Sequence, residues 1–289
     1  MSRMTRGSAT STRIRRVRRP GRVAVHGILG IAVLVSIFPF YWTIVMATNT
    51  TDAVFRSPPE LGLGTHLGEN VSKVFDTIDF LGALVNTVIV ASSVTVLVLF
   101  LDSLAAFTFA KFDFPGRRVL FGVLLAMYMV PTQLALIPQF VIMVKIGWVG
   151  SLKALIVPAA ANAFGIFWMR QYIAGALPDE LLDAARIDGA GFFRIYRSIA
   201  LPLLRPGLAF LGIYTFIASW NDYVWPLIVL LDPNKTTLQV ALSQLNVARH
   251  QDYSMIMAGA LLSLVPLIAA FLLLARNFVG DATKGAVRG

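Results

Sequence analysis

Apolar positions in this chain gather into six long runs, at 24–48, 83–110, 119–144, 151–174, 207–231 and 254–278. A helix needs about 20 apolar residues to cross the hydrocarbon core of a bilayer, so the pattern predicts six transmembrane helices and an all-α, polytopic fold. The fourth run is the weakest, because Lys153 and Arg170 leave only sixteen uncharged residues between them. Both can carry their charged heads to opposite interfaces while their stems stay in lipid. A closed β-barrel is excluded, since the runs are far longer than a strand and do not alternate. Pro39, Pro131, Pro138, Pro158, Pro226 and Pro266 put a helix breaker in five of the six runs. Such breaks are tolerated where neighbouring helices satisfy the freed carbonyls.

Between the fourth and fifth runs lies a piece of different character. Pro178 suits the first turn of a helix, and Asp179 and Glu180 would face the positive end of its dipole. Leu181, Leu182, Ala184 and Ala185 give a small apolar face, and Asp188-Gly189 reads as a turn. Phe192, Phe193, Tyr196 and Ile199 then recur at helical spacing until Pro202. The prediction is two short helices joined tightly, too short to span and too apolar to float free. On the residues alone, an amphipathic hairpin lying on the membrane accounts for them.

Composition supports the membrane reading. The 289 residues are 57% hydrophobic and 14% charged, against about a quarter charged in a soluble domain. With no cysteine there is no disulfide framework and no thiolate metal site. A net charge of +10 raises the question of nucleic acid, but its distribution argues against that partner. The first 22 residues hold eight Arg and no acid, and an apolar run follows at once, which fits a basic tail against anionic lipid headgroups. The first run is too long for the core of a cleaved signal peptide and has no small-residue cleavage site.

Six spans put both termini on one side. Nineteen of the 25 Lys and Arg fall on that side, in the N-terminal tail, the 111–118 loop, the 170–205 loop and the C-terminal segment. Positive residues mark the cytoplasmic face, so both termini and the 170–205 loop are expected there. The domain reading is a cytoplasmic tail over 1–22, a transmembrane domain over 23–280 containing the charged loop 175–205, and a short cytoplasmic tail over 281–289. On the opposite side, Asp52, Glu60, Glu69, Asp76 and Asp79 make the 49–82 loop acidic, as a docking surface or as a solvated connector.

The loop motif is specific enough to name a resemblance. Asp183-Ala184-Ala185, Asp188-Gly189-Ala190 and Leu201-Pro202 follow the order and spacing of the Glu-Ala-Ala, Asp-Gly-Ala, Leu-Pro signature of permease subunits in binding-protein-dependent ABC importers. Asp183 departs from the pattern, keeping the carboxylate one methylene shorter. Asn86-Thr87, "FPGRR" at 114–118, "MVPTQLALIP" at 129–138, "WND" at 220–222 and "GAVRG" at 285–289 extend the resemblance to the carbohydrate branch and its maltose-type second permeases. The resemblance implies a type I importer fold with a cytoplasmic coupling hairpin over 178–202. It also implies a sister permease forming a heterodimer, two cytoplasmic ATPase subunits and an extracytoplasmic sugar-binding protein, in a bacterial or archaeal cell membrane. Glu180, Asp183, Ala184, Ala185, Asp188, Gly189 and Ala190 would then form the ATPase-coupling surface. The small residues would let the helix seat closely, and Asp183 would complement a basic residue of the ATPase. The implied cargo is a sugar, by family default a di- or oligosaccharide, with a glycerol-phosphate ester as the alternative.

The remaining chemistry is sparse. A phosphate-binding loop is missing: in "GDATKGA", 280–286, Ala286 stands where the lysine belongs. ATP and Mg would therefore be held by the partner ATPase, and this chain is expected to be a transporter subunit rather than an enzyme. His26, His66 and His250 have no metal-ligand spacing, and no metal site is expected. Asp102 and Asp222 are the only acids inside the predicted spans, where carboxylates are costly. Trp220, Asn221 and Asp222 are candidate substrate-path residues, with aromatic faces and hydrogen-bonding groups suited to a sugar. A kink before Pro226 or contact with the sister subunit also explains them and is the preferred reading. Two readings of another class remain: an ion-gradient-driven carrier working through Asp102 or Asp222, and a membrane-embedded enzyme or scaffold.

Overall fold

The computed structural model describes residues 19–232, 235–246 and 252–285, with side chains over 24–232, 235–246 and 252–272. Most of the basic 1–22 tail, Arg249, His250 and most of the "GAVRG" motif lie outside these residues. Every regular element among the described residues is a helix, without a strand.

The first span is α1 (Arg19–Thr48), followed outside it by α2 (Thr51–Phe55) and α3 (Leu67–Thr77). The second span is α4 (Phe80–Lys111), a continuous 32-residue helix. Asp79 caps it by accepting the Gly82 N–H at 3.0 Å, and Lys111 ends it where a cation complements the dipole. The last span is α15 (Tyr253–Gly285), which runs past the expected end at 278. Among the described residues, these three alone are long and apolar enough to cross a membrane unbroken.

The middle three runs are interrupted, each beside a proline. The third is α5 (Arg117–Met129), then a 3-10 turn over Thr132–Ala135 and α6 (Leu136–Lys145), bent by 92° at Pro131. The fourth consists of α7 (Lys153–Ile156), an irregular stretch around Pro158, and α8 (Ala163–Ala176). At 1.5 Å per residue α8 is about 21 Å long, short of the ~30 Å core, so this span is assembled from pieces. Asn162 restarts it, its side chain accepting the Gly165 N–H at 2.7 Å. After α8 come α9 (Asp179–Ile187), α10 (Phe192–Ile195), a π-helical turn over Tyr196–Ala200, α11 (Leu201–Leu203) and α12 (Arg205–Trp220). The fifth run then breaks at 221–223 before α13 (Val224–Val229), and α14 (Leu238–Gln244) leads toward α15.

Packing centres on α4, which lies against α8 and α12; α12 also packs on α15, and α15 on α1 and α3. One core joins α4 to the charged loop through Phe107, Met169, Ile173, Leu182, Leu204 and Leu211. A second, toward the other end, holds Val74, Phe80, Trp220, Leu238 and Met255. Ile28, Leu34 and Phe38 of α1, and Val119, Leu120 and Val123 of α5, are all more than half exposed. A continuous apolar exterior of this extent belongs against lipid or another membrane subunit.

Candidate functional site

Two regions gather the sequence-predicted residues. The first is the hairpin. α9 ends as the spacing predicts: Gly189 adopts φ +75°, its N–H donates to Arg186 O at 3.0 Å, and Ala190 N–H donates to Ala185 O at 2.9 Å. These two bonds form a Schellman cap, which needs a left-handed residue at Gly189.

The helix has two unlike faces. Leu182 and Ala185 enter the core, whereas Leu181, Ala184 and Ile187 face outward, Ile187 at 87% exposure. Phe193 beyond the turn is exposed too. Glu180, Asp183 and Asp188 are exposed and Ala190 half-buried. The Asp183 carboxylate accepts from Arg186 at 2.9 Å, so within this chain it already has a cationic partner.

The inner face is fastened to the end of α4. Lys111, whose side chain is 6% exposed, donates to Asp179 at 2.7 Å. Phe192 packs on Phe107 and Phe112 with centroids at 5.5 and 5.0 Å, and the Arg186 guanidinium lies 5.4 Å over Phe112. Tyr196 Oη and Ser103 Oγ share a hydrogen bond at 2.7 Å. The second arm turns through 80° around the buried Leu204 and continues as α12. The hairpin is therefore attached directly to two spans, α4 and α12. Lys111, Ser103 and Tyr196 are attachments that sequence reasoning missed; Lys111 was legible only as a helix-end cation.

The second region is a cavity of about 590 Å³. All three interrupted spans bring their breaks to it: Thr132 and Gln133 from the third, Pro158 and Asn162 from the fourth, Ser219 and Asp222 from the fifth. Thr87 and Val94 of α4 and Tyr214 of α12 complete the wall. Irregular backbone at membrane depth is tolerated where it lines such a space, and half-helix ends there present polar groups to a solute. The outer pieces are tied together, Trp225 Nε1 donating to Ala154 O at 2.9 Å and Gly150 N–H to Val229 O at 2.8 Å.

The structure separates the "WND" residues. Asp222 lines the cavity, at the turn between α12 and α13. Trp220 is 1% exposed and stacks on Phe216 within the second core, outside the cavity lining. Asn221 is exposed and donates to Ile217 O at 2.9 Å. Gln133, Gln139 and Asn162, which carry the wall's amide chemistry, were missed by sequence reading. Their signal was a nearby proline: Pro131 two residues before Gln133, Pro138 beside Gln139 and Pro158 four residues before Asn162.

Asp102 is fully buried and does not line the cavity. Its Oδ1 accepts the Asn162 N–H at 3.2 Å, and Oδ2 has no hydrogen-bond partner. It pins the break in the fourth span to α4. Among the described residues no group of three or more His, Asp or Glu is placed to hold a metal ion.

The family described as "Binding-protein-dependent transport system inner membrane component" matches residues 102–282. Similar proteins include a lactose transport system permease protein of Rhizobium radiobacter, 34% identical over 91% of this chain and 95% of that one. An sn-glycerol-3-phosphate transport system permease protein of Salmonella typhi is 35% identical over 87% and 92%. An arabinooligosaccharides transport system permease protein of Halalkalibacterium halodurans is 36% identical over 71% and 73%. In fold, the chain resembles a crystal structure of a bacterial ABC transporter involved in import of the acidic polysaccharide alginate. The TM-score is 0.78 at 24% identity, covering 91% of this chain and 99% of that one.

Proposed function

Since the chain belongs to the inner-membrane components of binding-protein-dependent transport, as a permease subunit of a carbohydrate ABC importer, we propose that it forms one wall of a sugar path whose access is switched through the 178–202 hairpin. The observation that carries this reading is mechanical continuity. The hairpin is fastened to α4 through Lys111 and Ser103 and runs into α12, and both helices line the cavity. The outward apolar face of Leu181, Ala184, Ile187 and Phe193 is the surface offered to an ATPase cleft, with Glu180, Asp183 and Asp188 around it.

ATP and Mg belong to two cytoplasmic ATPase subunits, and a sister permease completes the path as a heterodimer. ATP-driven closure biases the bundle because the hairpin is held differently in the inward- and outward-facing states. Both termini lie in the cytoplasm of a bacterial or archaeal cell. The acidic 49–82 segment, with α2 and α3, faces the sugar-binding protein. A cavity of 590 Å³ falls within the roughly 300–1,000 Å³ of small-molecule sites. The cargo is a di- or oligosaccharide met on this side by Gln133, Asn162, Tyr214 and Asp222; Trp220 serves as core behind that wall.

The ion-gradient-driven alternative finds no support in the relatives, which are permeases of transport systems. Reconstitution separates the two readings. Uptake into vesicles should require the sister permease, the ATPase, the binding protein and internal ATP. Uptake by this chain alone under an ion gradient would overturn the proposal.

A further inference from the structure

A recess of about 200 Å³ lies between the start of α5 and the later part of α8, lined by Arg117, Arg118, Arg170, Phe109 and Phe121. Arg170 does not simply reach for water: its guanidinium lies 4.5 Å over the Phe121 ring. Arg117 pairs with Asp113 at 2.8 Å and donates to Phe112 O at 3.0 Å. No ion pair among the described residues reaches Arg118 or Arg170, so three guanidiniums share one carboxylate. Arg117 and Arg118 also occupy the first turn of α5, which holds no acid of its own and where the helix dipole opposes cations. The cluster is a positive site with aromatic walls in which one carboxylate, paired to Arg117, leaves Arg118 and Arg170 without an ion-pair partner among the described residues.

Its surroundings say what would compensate it. Directly along α5, Val119, Leu120 and Val123 are 70%, 54% and 51% exposed, the start of an apolar, outward-facing surface. The arginines thus stand where hydrocarbon gives way to headgroups, with room for acyl chains alongside. We propose that this recess binds the phosphate headgroup of an anionic phospholipid, of the phosphatidylglycerol class, in the leaflet facing the ATPase. The phosphate oxygens accept from Arg118 and Arg170, and one acyl chain lies along the Val119–Val123 face. Because α8 leads within two residues into α9, the lipid also holds the root of the hairpin. The choice of leaflet rests on the orientation proposed above; the binding itself does not.

The test uses the full chain purified in detergent, titrated with phosphatidylglycerol or phosphatidylcholine and read by native mass spectrometry. Wild type should retain phosphatidylglycerol in preference to phosphatidylcholine. The Arg118→Ala/Arg170→Ala variant should bind it roughly thirtyfold more weakly, from about 1 kcal/mol for each guanidinium at an anionic headgroup. An unchanged melting temperature in phosphatidylcholine micelles verifies that the variant folds, and Lys145→Ala/Lys153→Ala controls for lost charge at other positions. Equal retention of the two lipids by wild type, or equal phosphatidylglycerol binding by the variant, overturns the proposal. So does displacement of lipid by millimolar inorganic phosphate, which would make the site one for free anions. Loss of ATPase assembly with phosphatidylglycerol binding intact would assign the arginines to a protein interface instead. A reversed topology would show in the accessibility of a cysteine introduced on the hairpin while leaving the micelle titration unchanged, so the two failures are distinguishable.

Discussion

Replacing Gly165 by Ala sets a methyl carbon 2.0 Å from Asp102 Oδ2, 3.0 Å from its Cγ and 3.3 Å from Leu211 Cδ1. A relaxed carbon–oxygen contact needs well over 3 Å, so either the carboxylate or α8 must move by more than 1 Å. Asp102 has little freedom, being fully buried with Oδ1 holding the Asn162 N–H at 3.2 Å. Overpacking of this kind costs about 1–3 kcal/mol, and the severity of the overlap places Gly165→Ala near the top of that range. Asp102→Ala alone gives up one hydrogen bond at the break and should cost about 1–3 kcal/mol. In the double variant the obstruction is gone, so its loss should be smaller than the sum of the two by about 2 kcal/mol. The assay is reversible denaturation of the purified chain in mixed micelles, run as a double-mutant cycle, with uptake by the reconstituted importer as a second readout. Additivity within about 0.5 kcal/mol would refute the claim that Asp102 clamps the break in the fourth span.

Gly189→Ala meets no atom within 4 Å of the new Cβ, so its cost is the left-handed backbone alone, about 1–2 kcal/mol. Sugar-stimulated ATP hydrolysis by the assembled importer should fall with Ala and be largely kept with Asn, which tolerates that conformation. Asp179→Ala leaves the Lys111 ammonium, 6% exposed, without its acceptor. It should destabilise the chain by about 1–3 kcal/mol and raise basal ATP hydrolysis relative to transport, measured in the same proteoliposomes. At the opposite end, burial pushes the Asp252 carboxyl up, but the Met255 N–H, the Thr51 hydroxyl and Lys73 outweigh it and hold the group below its ordinary 3.8. A carboxyl depressed in the folded state contributes stability above its unfolded value and loses it as pH falls through the folded one. The melting temperature should therefore drop as pH is lowered below 3.8, and Asp252→Asn should flatten that drop.

Much of this architecture was legible because lipid imposes a coarse code. Runs near 20 apolar residues located the three unbroken membrane helices and the interrupted ones between them, and Asp188-Gly189 announced a turn that the structure closes with two specific hydrogen bonds. The prolines were visible, but a window of hydropathy cannot tell a kink from an interruption. Hydropathy did not show the 92° bend at Pro131, and the pieces of the fourth span are held by tertiary partners, Asp102 at Asn162 and Trp225 at Ala154. The same limit explains Trp220 and Asp222. Two residues apart on the chain, they part ways because the helix ends between them, sending the indole into the core and the carboxylate to the cavity. Arg170 read as a snorkelling side chain, and its aromatic platform, Phe121, lies 49 residues earlier.

The chain has no cysteine, so a single thiol placed on the hairpin reports its surroundings without background. Ile187→Cys, at the most exposed apolar position of α9, should cross-link to the ATPase subunit in membranes carrying the whole importer, with a yield that changes when ATP is added. In intact cells it should stay unlabelled by a membrane-impermeant maleimide. Labelling from outside, or no cross-link to the ATPase in either nucleotide state, would contradict the account.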